Sequence, residues 1–202
     1  MRGAQTLIRR IAVGLVMAAT LLTAADARQL STGGWISDAN GCRIWRQVPR
    51  AKLSVTWSGP CPHGFASGKG VLAWYDAGRL AGRYDGEMRR GHYHERGSFV
   101  WPSGERYWGE IRGDQRSGHG FFAWANGDRY DGEWKDGRRN GYGIYVWATG
   151  ARYEGGWKDD RAEGEGTYRE ADGTSYKGRW VRGCLSEGER RAWVATGGAA
   201  CE

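Results

Sequence analysis

YDGEWKDGRRNGYGIYVWATGAR, residues Tyr130 to Arg152, is one copy of a 23-residue pattern that runs in register from Tyr84 to Ser175. Tyr84, Tyr107, Tyr130, Tyr153 and Tyr176 stand 23 residues apart, and each is followed two residues later by glycine. A third column holds Met88, Ile111, Trp134, Trp157 and Trp180, and Gly-x-Gly pairs recur at Gly118/Gly120, Gly141/Gly143 and Gly164/Gly166. A fixed period of this size specifies a stacked array, in which no single unit buries its apolar face alone.

Within the unit, Tyr130, Gly132 and Trp134 fall on one side of an extended strand, and Arg129, Asp131, Glu133 and Lys135 on the other. The second half alternates in the same way, with Gly143, Tyr145 and Trp147 opposite Tyr142, Ile144 and Val146. Pro102-Ser103-Gly104, Asn126-Gly127 and Asp172-Gly173 mark turns at one end, and Asp136-Gly137 marks them at the other. The expected fold is all-β: a single-layer antiparallel sheet of stacked hairpins, preceded by a signal-peptide helix. At about 4.8 Å per strand, five units extend roughly 50 Å. Cohesion falls to the aromatic columns, Tyr84, Tyr107, Tyr130, Tyr153 and Tyr176 with Trp134, Trp157 and Trp180. Glycines such as Gly132 and Gly143 are expected to leave room for a ring to lie flat.

Both ends depart from the repeat. Residues 1–27 carry Arg2, Arg9 and Arg10 before an apolar run and end in Ala25-Asp26-Ala27, the plan of a secretory signal peptide cleaved near Ala27. The expected destination is the periplasm or the exterior. Cleavage removes three arginines and one aspartate, so the net charge of +7 becomes +5. A moderately basic exported protein meets anionic envelope surfaces rather than nucleic acid. Cys42, Cys61, Cys184 and Cys201 all lie outside the clean repeats. An even count in an exported chain points to disulfides. Three connectivities exist, and position favours Cys42–Cys61 and Cys184–Cys201, one staple at each end. Residues 28–56 read as a hairpin-like cap, 57–188 as the array and 189–202 as a tail.

No catalytic constellation is recognisable. The Gly-x-Gly pairs are turn punctuation, and no nucleophile elbow occurs. His92-x-His94 lacks a third ligand, so no metal and no cofactor are expected. Glu87, Glu110 and Glu133 sit among basic neighbours, where cross-strand pairing outweighs use as a hydrolytic carboxylate pair. The remaining chemical feature is basic. Arg83, Arg106, Arg129 and Arg152 each precede a repeat tyrosine, and Arg89, Arg112, Lys135 and Lys158 follow six residues later. Ion pairing with the intervening acids is the competing reading. The acids thin toward the C-terminus, where Lys177 and Arg179 enter, so anion binding is expected at Arg106, Arg129, Arg152, Lys158, Lys177 and Arg179.

Tyr130, Gly132, Trp134, Gly137, Gly141, Gly143 and Gly150 together resemble the MORN (membrane occupation and recognition nexus) repeat, YxGxWxxGxxxGxG followed by an aromatic and a turn glycine. Good copies begin at Tyr107, Tyr130 and Tyr153, a weaker one at Tyr84, and partial ones at Trp57 and Tyr176, giving about five to six units. The resemblance implies a scaffold that often dimerises and has been linked to phospholipids. The expected function is therefore a non-enzymatic envelope protein. Its partner is another envelope protein, an anionic phospholipid surface or a second copy, met by an extended aromatic and basic sheet face. The alternative is an envelope protein that binds carbohydrate or cleaves wall glycan, with its rings stacked on sugars.

Overall fold

The computed structural model describes residues 33–47, 52–187 and 190–194. The signal-peptide segment and Cys201 lie outside the described residues. Fifteen strands are present among them: β1 Gly34–Ser37, β2 Arg43–Arg46, β3 Leu53–Trp57, β4 Gly68–Asp76, β5 Arg79–Arg89, β6 His92–Val100, β7 Arg106–Arg112, β8 Gln115–Ala123, β9 Arg129–Lys135, β10 Arg138–Val146, β11 Arg152–Lys158, β12 Arg161–Arg169, β13 Ser175–Val181, β14 Cys184–Glu187 and β15 Arg190–Trp193. Strands β3 to β15 form one open antiparallel sheet in strict sequence order, and β1–β2 form a separate hairpin. Each 23-residue copy contributes two strands, as its alternation specifies.

Two kinds of turn alternate along the sheet. At one end the connections from β5–β6 to β13–β14 are two residues long, and Asp136 and Gly137 have φ of 50° and 80°. Both central residues are left-handed, matching the right-handed twist of the flanking strands. At the other end the β4–β5 turn, Ala77-Gly78, is also two residues, but the loops from β6–β7 to β12–β13 are longer. The Asn126-Gly127 loop is closed by Trp124 N–H to Asp128 O at 2.9 Å and Gly127 N–H to Trp124 O at 3.0 Å.

The repeat tyrosine accounts for the in-strand glycines. Gly132 and Gly143 are Cα partners across β9 and β10, and the Tyr130 ring lies against both. A Cβ on Gly132 would stand 2.5 Å from Gly143 Cα and 2.7 Å from both Tyr130 Oη and Tyr142 O. The sheet is bulged beside this pair, leaving Glu133 without a Cα partner on β10. Its carbonyl accepts the Tyr130 hydroxyl at 2.9 Å. The same bond recurs from Tyr84 to Glu87 O at 2.8 Å, Tyr107 to Glu110 O at 2.8 Å and Tyr153 to Gly156 O at 3.1 Å. One side chain thus covers the glycine pair and satisfies a backbone acceptor beside it.

Trp134, Trp157 and Trp180 tie neighbouring copies together. Their indole N–H groups donate to Gly120 O, Gly143 O and Gly166 O at 2.9, 3.2 and 3.1 Å. Their rings meet the preceding tyrosine edge-on, as in Tyr107–Trp134 at 5.8 Å, Tyr130–Trp157 at 5.5 Å and Tyr153–Trp180 at 5.2 Å. Phe99, Phe122, Tyr145 and Tyr168 continue the mesh, with Trp101, Trp124 and Trp147 beyond them. This inner face is the core. All of the repeat tyrosines except Tyr176 are buried, as are all three repeat tryptophans.

The N-terminal segment divides in two. Strand β3, read as part of the cap, continues the sheet as its edge strand beside β4. The β1–β2 hairpin instead docks on the chain around Phe65 and on the β5–β6 turn, through Ala66 N–H to Arg43 O at 3.1 Å and Trp45 N–H to Gly91 O at 2.8 Å. The Cys42–Cys61 disulfide forms as expected. Closing a loop of this length is worth roughly 3 kcal/mol in the chain-entropy model. Cys184 is also disulfide-bonded.

Candidate functional site

The face opposite the aromatic core carries the basic residues. Cross-strand register places Val100, Arg106, Ala123, Arg129, Val146, Arg152 and Arg169 in a single row, each the Cα partner of the next. Arg106, Arg129 and Arg152 occur on every second strand, so they repeat at about 9.6 Å, twice the strand spacing. Arg169 joins the row beside Arg152, at the position that Val100, Ala123 and Val146 occupy in earlier copies. Counting one period on from Val146 would have found it in the sequence.

Ion pairing takes only part of this row. Arg83 meets Asp85 at 3.4 Å, and Arg152 pairs with Glu154. Arg106 and Arg129 are exposed and make no salt bridge among the described residues. In the next rows, Glu110 is shared by Arg96 at 3.4 Å and Arg112 at 3.9 Å, and Asp131 lies 3.4 Å from His119. Glu154 accepts the Tyr142 hydroxyl at 2.6 Å. That bond first, and Arg152 second, holds its carboxyl below the usual range. Surface pairs of this kind contribute little to stability. Their effect here is to neutralise the middle of the face while leaving Arg106 and Arg129 of its arginine row without an acidic partner among the described residues.

The other expected anion-binding residues do not join the row. Lys177 and Arg179 stand opposite Thr167 and Glu165. The acids lost from β11 and β13 are therefore met by Glu165 on β12, and the expected acid-poor end is more balanced than the repeat columns alone imply. Lys158 lies at the opposite end of its strand from Arg152. With Arg179 it lines an open groove of about 860 Å³ that also contains Lys135, Arg138, Asp159 and Glu163. Arg138 and Asp159 pair across that groove at 3.7 Å.

The structure corrects the expectation of one face both aromatic and basic. The repeat aromatics and the arginines of the outer row lie on opposite faces because they differ in parity along the strands that carry them. The exposed rings of the basic face are others: Trp108 is 54 % exposed and Tyr142 53 %. Trp108 lies between Ser98 and Phe121, with Arg96 over its ring at 5.9 Å.

His92 and His94 do not converge on a common point. His92 Nδ1 is 2.6 Å from Asp114 Oδ2, and His94 Nε2 is 3.7 Å from Glu95. Among the described residues, no group of three or more His, Cys, Asp or Glu side chains is placed to hold a metal ion.

One buried polar feature has no counterpart in the sequence reading. Arg139, 6 % exposed, points into the aromatic face over Trp157 at 4.5 Å and Tyr145 at 5.2 Å. Asp160 of the next two-residue turn accepts its Nε–H at 2.9 Å and its backbone N–H at 3.0 Å. A carboxylate 21 residues away thereby compensates a desolvated guanidinium.

Residues 63–79, 84–106, 107–129, 130–152 and 153–175 match the MORN repeat, more than half of the chain. The chain belongs to the MORN-repeat family. The matched MORN segments run from β4 to β12 with a gap at residues 80–83, include Arg106, Arg129, Arg152 and Arg169 of the outer row, and stop before the partial copy that begins at Tyr176. No curated protein matches the chain in sequence.

Proposed function

We propose that this MORN-repeat protein is an exported, non-enzymatic scaffold of the cell envelope. Its outer sheet face binds an anionic membrane surface or the acidic face of a partner protein. The observation that carries this reading is the arginine row. Arg106 and Arg129 stand exposed without acidic partners, in register with Arg152. Each arginine near an anionic surface contributes about 1 kcal/mol, and a row spaced by the repeat presents several at once. The repeat tyrosines and tryptophans of the inner face do not compete for this role, since they are buried against one another.

Export rests on the signal-peptide pattern of residues 1–27. A non-enzymatic role is supported by the engagement of Glu110 with arginines, with Glu133 taking the Tyr142 N–H at 2.9 Å. The carbohydrate reading retains one observation in its favour, the exposed rings of Trp108 and Tyr142. A tryptophan fluorescence change with soluble wall fragments would support it.

Flotation of residues 28–202 with anionic and neutral vesicles, at low and physiological salt, tests the main reading. Flotation selective for anionic lipid and retained at physiological salt is the expected result for a membrane surface. Protein that stays at the bottom with every vesicle removes the membrane, and crosslinking in the envelope then tests for an acidic protein partner.

A further inference from the structure

The column that holds Arg139 contains a second arginine one copy earlier, and among the described residues no carboxylate pairs with it, Asp160 and Glu105 acting on it only at a distance. Arg116 occupies the place of Arg139, and Gly137 occupies the place of Asp160. Arg116 Nη2–H reaches only the Gly137 carbonyl, at 2.8 Å, and makes no salt bridge among the described residues. Its guanidinium lies over Trp134 at 4.2 Å and Phe122 at 5.0 Å. A charge in these surroundings is desolvated without the carboxylate that its counterpart has.

A second guanidinium opens into the same space. Arg46, from the β1–β2 hairpin, donates Nη1–H to the Tyr93 hydroxyl at 3.1 Å and lies over Trp74 at 5.0 Å. Its Nε is buried with no hydrogen-bond partner among the described residues. Arg46 and Arg116 line one cleft of about 400 Å³ with Trp74, Tyr93, Phe99 and Trp101. That volume is at the lower end of the range of small-molecule sites, about 300–1,000 Å³. Two carboxylates also border the cleft, and neither pairs with these arginines. Asp114 accepts the Tyr93 N–H at 2.8 Å and faces His92 at 2.6 Å. Asp136 is exposed on its turn.

We propose that this cleft binds a small organic anion, a carboxylate or a phosphate monoester, whose charged group is held by Arg46 and Arg116 and whose flat or apolar body lies against Trp74, Phe99 and Trp101. Forked guanidinium donors suit both oxyanions, and the aromatic walls supply the apolar area. This site is on the inner face and is independent of the outer arginine row.

The test uses the mature protein with benzoate, phenyl phosphate and, as a neutral isostere, benzyl alcohol, followed by saturation-transfer NMR and thermal shift. One or both anions should bind and raise the Tm in a dose-dependent way while benzyl alcohol does not. The preferred anion identifies the head group. Gly137→Asp supplies in this copy the carboxylate that Asp160 supplies in the next, on a turn residue of the same left-handed conformation, with φ of 80° at Gly137 and 68° at Asp160. It should leave the protein as stable as the parent or more so, yet weaken anion binding at least tenfold. Arg116→Met should likewise fold and lose binding. Absence of binding by either anion at millimolar concentration would overturn the proposal, as would equal binding of benzyl alcohol. Undiminished binding in Gly137→Asp and Arg116→Met would overturn it too.

Discussion

Tyr130 solves two problems of its strand at once, and Gly132 and Gly143 are glycines because of it. Substitution of Gly132 by alanine meets the Gly143 backbone at 2.5 Å, which a rigid ladder does not accommodate. It is expected to cost about 1–3 kcal/mol, seen as a lower unfolding midpoint in urea. Gly137→Ala, a change with nothing near its Cβ, should show only the smaller cost of a left-handed residue. Asp128 gives the residue scale its pH dependence. Burial raises its pKa, but hydrogen bonds from the Tyr145 hydroxyl, Ala148 N–H and Asn126 outweigh that and hold it below the usual carboxylate range. A carboxylate with a depressed folded pKa stabilises fully above its unfolded value, near 3.9, and loses that contribution as pH falls through the folded value. Asp128→Asn should therefore melt below the parent at neutral pH, with the two Tm curves converging in the acid range. A gap independent of pH would exclude this assignment.

At the scale of the element, each hairpin is held to the next by a ring and an indole hydrogen bond. Trp134 is 4 % exposed and bonded to Gly120 O, whereas Trp193 on β15 is 54 % exposed. Trp134→Ala is expected to cost about 3–5 kcal/mol and to lower the Tm by roughly 10 °C. Trp193→Ala should stay within about 1 kcal/mol of the parent, and equal melting of the two would contradict the stacking account. The hairpins were legible in the sequence because tyrosine, glycine and turn residues recur in every copy and their parity sets the face. Arg139–Asp160 was not. The pair joins two different copies, occurs once, and depends on how the bulge at Glu133 aligns neighbouring hairpins. Separation of the rings from the arginines was implicit in the parity of Tyr130 against Arg129, yet it becomes decisive only when burial shows the rings filled by one another. The position of β1–β2 was legible only in part: the Cys42–Cys61 pairing ties it to the chain before β4, whereas its backbone bonds to Gly91 and Ala66 and the Trp35 contacts with Phe65 and His92 follow no repeat pattern.

Across the whole sheet, each strand pairs only with its neighbours in sequence, so stability accumulates copy by copy. The Cys42–Cys61 disulfide and a disulfide at Cys184 reinforce the two ends of the array. Function accumulates in the same way. A single arginine near an anionic surface is worth about 1 kcal/mol, and the unpaired Arg106 and Arg129 together supply about 2 kcal/mol, roughly thirtyfold in affinity, with Arg152 adding less because Glu154 already pairs with it. Their side chains lie outside the aromatic core, so replacing them should leave the fold intact. The most direct measurement is flotation of the R106Q/R129Q/R152Q variant beside the parent, on vesicles containing anionic lipid at physiological salt. The account predicts that the parent floats and the variant, melting at the same temperature, stays at the bottom. A variant that floats equally well would contradict the role of the arginine row, and a parent that does not float would remove the membrane as its ligand.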